Sequence, residues 1–539
     1  MLSVGPGLVS LALLFILFAR YIQHRSDPAR KIQCAPGADA HWLWGHEYVE
    51  WQNEIGKMYS KWAMAVGPVY RIKAALFKRD VIIATDNSVV HHIHANTYRY
   101  RSYPSILISC SHLRIIIAKA PEFLPIVESQ LGKGIVYVSG EEHRRQRRLL
   151  ALAFTLGAVK GMSDDVVECT QRLVQRIATH LTSRGGETTM NITPFLSACT
   201  LDIIGRVAFG HDFRSGESQE AIDIAASWHK DVLFGRTMPG FLMPIIMSAF
   251  PWISKFPVFK TDGVAKQVAL RLAGEFLRQN QMNLENGDGK DILSILIRDQ
   301  KHSKHGDRLS HKALLENIAT LMMVGHETTS CTVSFTLYHL ASDPEVQKRL
   351  RQEICDLSDF SYDHIQSLSY LDVVCREGLR LHPAAPRTDR IALEDDVLPL
   401  SQPLTTVDGD IVSSIAIKAG QVLQIPSVVQ NTDPNVWGED AVEFKPERWL
   451  RPDEVPSATQ LPSGPYGNVA SFLDGPRSCI GWRLALLEFK IIICLVIRHF
   501  ELTSTPHHVQ SFFIGNLQSF VDGDAQMPIY MKLLAPLSA

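Results

Sequence analysis

The longest unbroken apolar run lies at the start of the chain. Residues 8–19 read LVSLALLFILFA, and no charged side chain precedes Arg20. At a rise of about 1.5 Å per residue, ~19 residues just span the ~30 Å hydrocarbon core of a bilayer. A cleaved signal peptide would carry positive charge before such a run and a small-residue cleavage site after it. Here the charges follow instead, at Arg20, Arg25, Arg30 and Lys31. The pattern predicts an uncleaved signal anchor that keeps the rest of the chain on the cytoplasmic side. Residues 1–24 are assigned to the anchor, 25–45, with Pro36-Gly37, to a linker, and 46–539 to one large domain.

Past the linker, apolar positions recur mostly at helical spacing. Residues 141–154, 162–183, 263–283, 310–341, 368–381 and 479–499 are predicted helices. Alternating or β-branched stretches bounded by Gly and Pro are fewer: 69–73, 81–85, 410–417 and 421–425. The last two are expected to form a hairpin through Lys418-Ala419-Gly420. Residues 232–253 are apolar enough for a second membrane span, but Arg236 sits among them and Pro239, Pro244 and Pro251 interrupt them. Short helices near a membrane surface, framing a substrate entrance, are expected there. No repeat or low-complexity tract marks a further boundary. The expectation is a mainly α domain with a minor β-sheet.

Composition narrows the function. With 54 Lys and Arg against 56 Asp and Glu, the net charge of −2 lacks the basic excess of a general nucleic-acid binder. A hydrophobic content of 46% excludes disorder. Nine cysteines without a single C-x-x-C pair exclude a disulfide scaffold and supply no start for a zinc or redox motif. His91, His92 and His94 lack Cys or carboxylate partners at ligand spacing and read as a surface cluster. Neither G-x-G-x-x-G nor G-x-x-x-x-G-K-[ST] occurs, so the chain has no evident nucleotide site of its own.

The sharpest chemical signal is Phe472-Leu473-Asp474-Gly475-Pro476-Arg477-Ser478-Cys479-Ile480-Gly481, a Gly-rich loop that delivers one Cys to the start of an apolar helix. A helix dipole and backbone N–H groups aimed at the sulfur would lower its pKa. Taken alone, a Cys at a helix start serves packing more often than chemistry. Its flanks decide otherwise, because the run matches F-x-x-G-x-R-x-C-x-G, and from here the chain resembles the cytochrome P-450 family of haem-thiolate monooxygenases. The resemblance implies the cytochrome P-450 fold, haem b as cofactor, and Cys479 as the axial iron ligand, whose electron donation favours O–O cleavage.

Two further motifs agree with it. Glu377 and Arg380 form E-x-x-R before Pro383, on one face of a helix. In the family this pair is buried and tied to an Arg of a Pro-Glu-Arg segment, here Pro446-Glu447-Arg448-Trp449, in a structural role. Gly325-His326-Glu327-Thr328-Thr329 lies within the long helical stretch, and a zinc-protease reading fails because Ser330 stands where H-E-x-x-H needs its second His. By resemblance, Glu327 and Thr328 lie over the oxygen-binding face, where the Thr hydroxyl bonds back to the chain and the pair relays protons. Val324 occupies a position where the family usually has Ala or Gly, which would narrow the oxygen groove.

Haem carries two carboxylates that need fixed donors. The resemblance assigns them to Arg477, to Arg390, and to the helix segment with His143 and Arg147, where His143 replaces the family's usual Trp. Phe472, Gly475 and Gly481 would shape the loop around the cofactor. Arg144, Arg145, Arg147 and Arg148 would by themselves read as a solvated face; the resemblance implies that this surface docks an acidic electron donor, NADPH-cytochrome P-450 reductase, with a b-type cytochrome as a further partner. The whole implies an endoplasmic reticulum membrane enzyme that oxidises an apolar small molecule with O2. Residues 141–153 and 201–213 look most like fungal members, which suits secondary metabolism, terpenoids included. Residues 103–117, 232–253, 324, 385–388 and 512–520 are the expected pocket walls. Two alternatives stay open: a reductase-independent isomerase or dehydratase on the same fold, and a non-catalytic haem sensor.

Overall fold

The computed structural model describes residues 27–534, apart from 99–116, 120–126, 250–262, 284–290, 303–308 and the single positions 129, 356, 358, 452, 454, 458, 459 and 463. The predicted anchor 1–24 and most of the predicted wall 103–117 lie outside the described residues. Among the described residues, no helix is long and apolar enough to cross a membrane.

The helix His311–Ser342 is the axis of the domain. Ser310 caps it, its Oγ accepting the Ala313 N–H at 3.1 Å. Buried residues occur on all of its faces, as expected of a helix enclosed by others rather than lying on a surface. Thr193–Phe209, Val264–Asn283 and Trp482–His499 pack against it. Close approach to the first of these depends on Gly325, where a Cβ would fall 2.7 Å from Ile204 Cγ1. Gln146 on Gly140–Ala151 accepts a hydrogen bond from Asn317 Nδ2 at 2.9 Å, and Asn317 Oδ1 in turn accepts from Ile135 N at 2.8 Å, tying that shorter helix to the axis.

Most predicted helices form with small shifts at their ends: Gly140–Ala151, Ser163–Thr182, Val264–Asn283, His311–Ser342 and Ser369–Leu381. One shift bears on chemistry. The helix expected from residue 479 begins at Trp482, with Gly481 as its N-cap. Cys479 therefore sits in the loop before the helix. A 3-10 turn at Gly475–Arg477 and the bond from Ser478 N to Gly475 O use the residues that would otherwise start the first helical turn.

The β content is divided. A five-stranded sheet runs Val69–Ile72, Val81–Ala84, Val422–Ile425, Thr388–Ala392, Ile117–Lys119, and its one parallel pairing joins Val81–Ala84 to Val422–Ile425. The hairpin expected across residues 418–420 does not form. Ile411–Ile417 pairs with Asp396–Thr405 in a separate ribbon, whereas Val422–Ile425 pairs with Val81–Ala84 and Thr388–Ala392. The chain still turns at Gly420, with φ of +82°, but there its N–H bonds to Ala392 O and carries the chain into the other sheet. Hairpin Gln510–Ile514 and Asn516–Val521 is tied through Leu517 N to Ala384 O at 2.9 Å, just past the end of Ser369–Leu381.

Residues 27–45, expected to be a linker, pack onto this domain. Ala29, Ile32 and Ala35 are at most 2% exposed, Asp27 pairs with Arg79, and Arg71 N donates to Gln33 O at 2.9 Å. The three apolar side chains make the segment part of the core. The apolar stretch from 232 forms the end of Gln219–Gly235 and then Met238–Ala249, which contains Pro244.

Candidate active site

The cysteine loop is held from both ends. Leu473 and Gly475 adopt φ of +57° and +66°, and a Cβ at Gly475 would meet His94 O at 2.6 Å. Cys479 N donates to the Phe472 carbonyl at 2.8 Å, closing the loop on itself. Arg147 Nη1 reaches from the helix Gly140–Ala151 to Ser478 O at 2.7 Å, and its Nη2 to Ser478 Oγ at 3.2 Å. Arg477 Nη2 returns the contact, donating to Val138 O at 2.7 Å and Ser139 Oγ at 3.0 Å. His143 is buried one turn before Arg147.

Burial raises the Cys479 thiol, while the Gly481 backbone N–H and the Arg147 charge act to lower it. The expected lowering contributions are present, but desolvation outweighs them. Yet Cys479 is also exposed by area. Its sulfur is accessible on one side although the loop surrounds it on the others. In the middle of the long helix, Val324, Gly325 and Thr328 are partly exposed among buried neighbours. Thr328 Oγ1 donates to Val324 O at 2.8 Å, the back-bond that loosens a helix at that turn. Glu327 points elsewhere: it is 5% exposed, and its Oε1 accepts from Ser197 Oγ at 2.6 Å.

Arg390, on Thr388–Ala392, is 4% exposed, and desolvation pushes its pKa down to about 10 against the pull of Asp389. Its Nη1 donates to Asp389 O at 2.9 Å, while its Nε is buried with no hydrogen-bond partner among the described residues. His94 Nδ1 is likewise buried and unpartnered. This corrects the reading of three surface histidines. His91 pairs with Asp474 at 3.0 Å and His92 with Asp396 at 2.9 Å, but His94 is 2% exposed, and burial together with Arg390 lowers its pKa to about 3. His94 and Gln430 also line a cleft of about 270 Å³ behind the cysteine loop. An accessible sulfur and a buried guanidinium N–H without an acceptor among the described residues fit a haem, whose carboxylates would supply one.

Glu377 binds Arg380 through two bonds of 2.8 Å and also receives Arg448 Nε at 3.0 Å, Trp449 Nε1 at 2.9 Å and Lys445 N at 2.9 Å. Burial raises its pKa, but Arg380, Arg448 and the Lys445 N–H outweigh it and hold the carboxyl below its usual value. Sequence reasoning missed Glu488, a buried acid on Trp482–His499 raised to about 8 by desolvation against a bond from Thr329. The only signal was one carboxylate within an otherwise apolar helical run.

A mainly helical domain with a buried glutamate–arginine network and an accessible cysteine in the loop before an apolar helix is the layout expected of a haem-thiolate oxygenase. A profile of the cytochrome P450 family matches residues 36–521. Cytochrome P450 monooxygenase 205 of the fungus Postia placenta is 32% identical over 493 residues, covering 84% of this chain and 89% of its own length. Cytochrome P450 monooxygenase claP of the fungus Ampulloclitocybe clavipes is 29% identical over 519 residues, covering 93% and 90%. The chain belongs to the cytochrome P450 family: it is a monooxygenase, and haem is its cofactor.

Proposed function

We propose that this chain is a membrane-anchored fungal monooxygenase that inserts one oxygen atom of O2 into an apolar small molecule, using electrons from NADPH passed on by a partner flavoprotein reductase. Residues 1–24 are its endoplasmic reticulum anchor, and the domain that follows faces the cytoplasm. The observation that carries this reading is the Thr328 back-bond to Val324 at a partly exposed turn in the middle of the long helix. An isomerase or a sensor has no use for such a proton-handling turn.

Bound haem supplies the oxidising chemistry. Cys479 would hold its iron through the sulfur, and the Gly481 N–H and the Arg147 charge would support a thiolate there. Arg390, with its buried Nε, would hold a haem carboxylate, and Arg477, His143 and Arg147 would supply further donors to the cofactor. Phe472 and Gly475 shape the loop. Thr328 would release its hydroxyl from Val324 O to hold water and a proton, and Glu327, whose Oε1 is held by Ser197, would resupply that proton through intervening water. Arg144 and Arg148, exposed on Gly140–Ala151, belong to the face that meets the reductase, although Arg144 pairs with Glu141. A b-type cytochrome is a second donor for the same face. Phe234, Met238 and Met243, between 39% and 44% exposed around the helix break, meet the membrane beside the substrate entrance. The likeness to fungal members suits a role in secondary metabolism, with terpenoids among the apolar substrates to be tried.

The test is NADPH consumption in membranes holding the chain and reductase, screened across terpenoids. Consumption that requires both reductase and substrate, and that shifts from product to peroxide in Thr328→Ala, supports the reading. Turnover without reductase points to the isomerase. Unchanged coupling in Thr328→Ala removes Thr328 from proton delivery.

A further inference from the structure

The turn that carries Glu327 also carries His326, which has no part in the reading above. His326 is 1% exposed, and its Nδ1 lies 3.0 Å from Met322 O, one turn back. A carbonyl oxygen only accepts, so Nδ1 bears the hydrogen, and in the neutral ring Nε2 presents a lone pair. Among the described residues that Nε2 is buried without a hydrogen-bond partner, and it faces Glu327 Oε1 at 3.5 Å. Ser197 Oγ fixes the same carboxylate oxygen at 2.6 Å. The Trp228 ring stands edge-on to the imidazole, 6.3 Å between centroids.

Two lone-pair groups facing each other in a buried site are costly unless a proton lies between them. We propose that His326 is a positioning residue that shares one proton with Glu327, resting on the reading of Glu327 as a proton carrier. In one form Oε1 bears the proton and neutral Nε2 accepts it. In the other, Nε2 bears the proton and the carboxylate accepts it. Both forms are neutral as a pair, so neither leaves a bare buried charge. Passing the proton toward Thr328 leaves the pair one unit negative, and one proton from water restores it. The other groups facing this turn do not replace His326. From Thr193–Phe209 the group is Ser197 and from Gln219–Gly235 it is Trp228, both uncharged, while Glu488 of Trp482–His499 bonds to Thr329.

The test uses the haem-loaded, reductase-reconstituted enzyme with His326→Leu, His326→Gln and Glu327→Gln. The first readout is the infrared carboxyl band of Glu327, identified as the band lost in Glu327→Gln. The second is the share of NADPH electrons recovered in the product found by the terpenoid screen. Both His326 variants are expected to move the band and to lower recovery about tenfold, part of the ~10²–10⁴ that a positioned proton carrier contributes. Haem content and the carbon monoxide spectrum should stay as in the parent, and adding Glu327→Gln should cost nothing further. An unmoved band in His326→Leu overturns the proposal, whatever the recovery. If His326→Leu does not fold, His326→Gln decides on the same readout. Should Glu327→Gln leave recovery intact, the relay reading falls, while the band still decides whether His326 shares the proton.

Discussion

Gly475 lacks a side chain because there is no room for one. Its φ of +66° already disfavours any other residue, and a Cβ would sit 2.6 Å from the His94 carbonyl, a backbone atom that cannot swing away. Gly475→Ala is expected to cost about 2–3 kcal/mol, combining left-handed strain with a displaced helix end. Its haem content should fall with its stability. Haem per protein and a urea midpoint equal to the parent's would show that the loop tolerates the shift. The motif residues around Cys479 were legible in the sequence because their spacing is dense and chemically specific. The sign of the thiol's shift was not, because the sequence shows the N–H donors and the nearby arginine but not the desolvation that exceeds them. His94 was misread for a related reason. Three histidines within four positions look alike in a string, and only the packing of Asn87–Ala95 against the cysteine loop turns one of them inward.

Among the elements, the buried network around Glu377 joins Ser369–Leu381 to the segment Pro446–Leu450. Arg380 is itself held by the carbonyls of Asn431, Ala441 and Glu443. Removing one member leaves a charge buried without its partner, so Arg448→Ala is expected to destabilise the fold by about 3–5 kcal/mol. Urea denaturation of the haem-loaded enzyme measures this, and a loss within experimental scatter would contradict the account. Helices of this size were readable because periodicity persists over many residues. The strand partners were not: residues 411–417 and 422–425 look like a hairpin from their turn, yet their partners lie in different sheets. Only tertiary packing distinguishes the two outcomes. The segment 27–45 was missed in the same way, since three apolar side chains among polar ones do not announce what they pack against.

For the molecule as a whole, buried neutral histidines set the response to acid. Desolvation lowers the pKa of His46, His94, His211, His339, His382 and His499, to about 3 for His94 and about 4 for His339. His339 and His382 also share a bond between their Nε2 atoms of 2.7 Å, which joins the long helix to the end of Ser369–Leu381. A histidine whose native pKa is depressed binds fewer protons folded than unfolded. Its stabilising contribution is complete above the ordinary value of 6.5 and is lost as pH falls from there toward about 4. Each such group adds up to ~1.4 kcal/mol per pH unit. The melting temperature of the haem-loaded enzyme should therefore drop between pH 7 and pH 5, and His339→Phe should flatten the slope. A melting temperature constant across that range would refute the argument.

The central claim is that Cys479 holds the haem iron as a thiolate. Its most direct test is the difference spectrum of the dithionite-reduced protein with and without carbon monoxide, in membranes carrying the full chain and in parallel for Cys479→His. The account predicts a strongly red-shifted Soret band for the parent and its loss in the variant. A band at the position of histidine-ligated haem in the parent, or an unchanged band in Cys479→His, would contradict it.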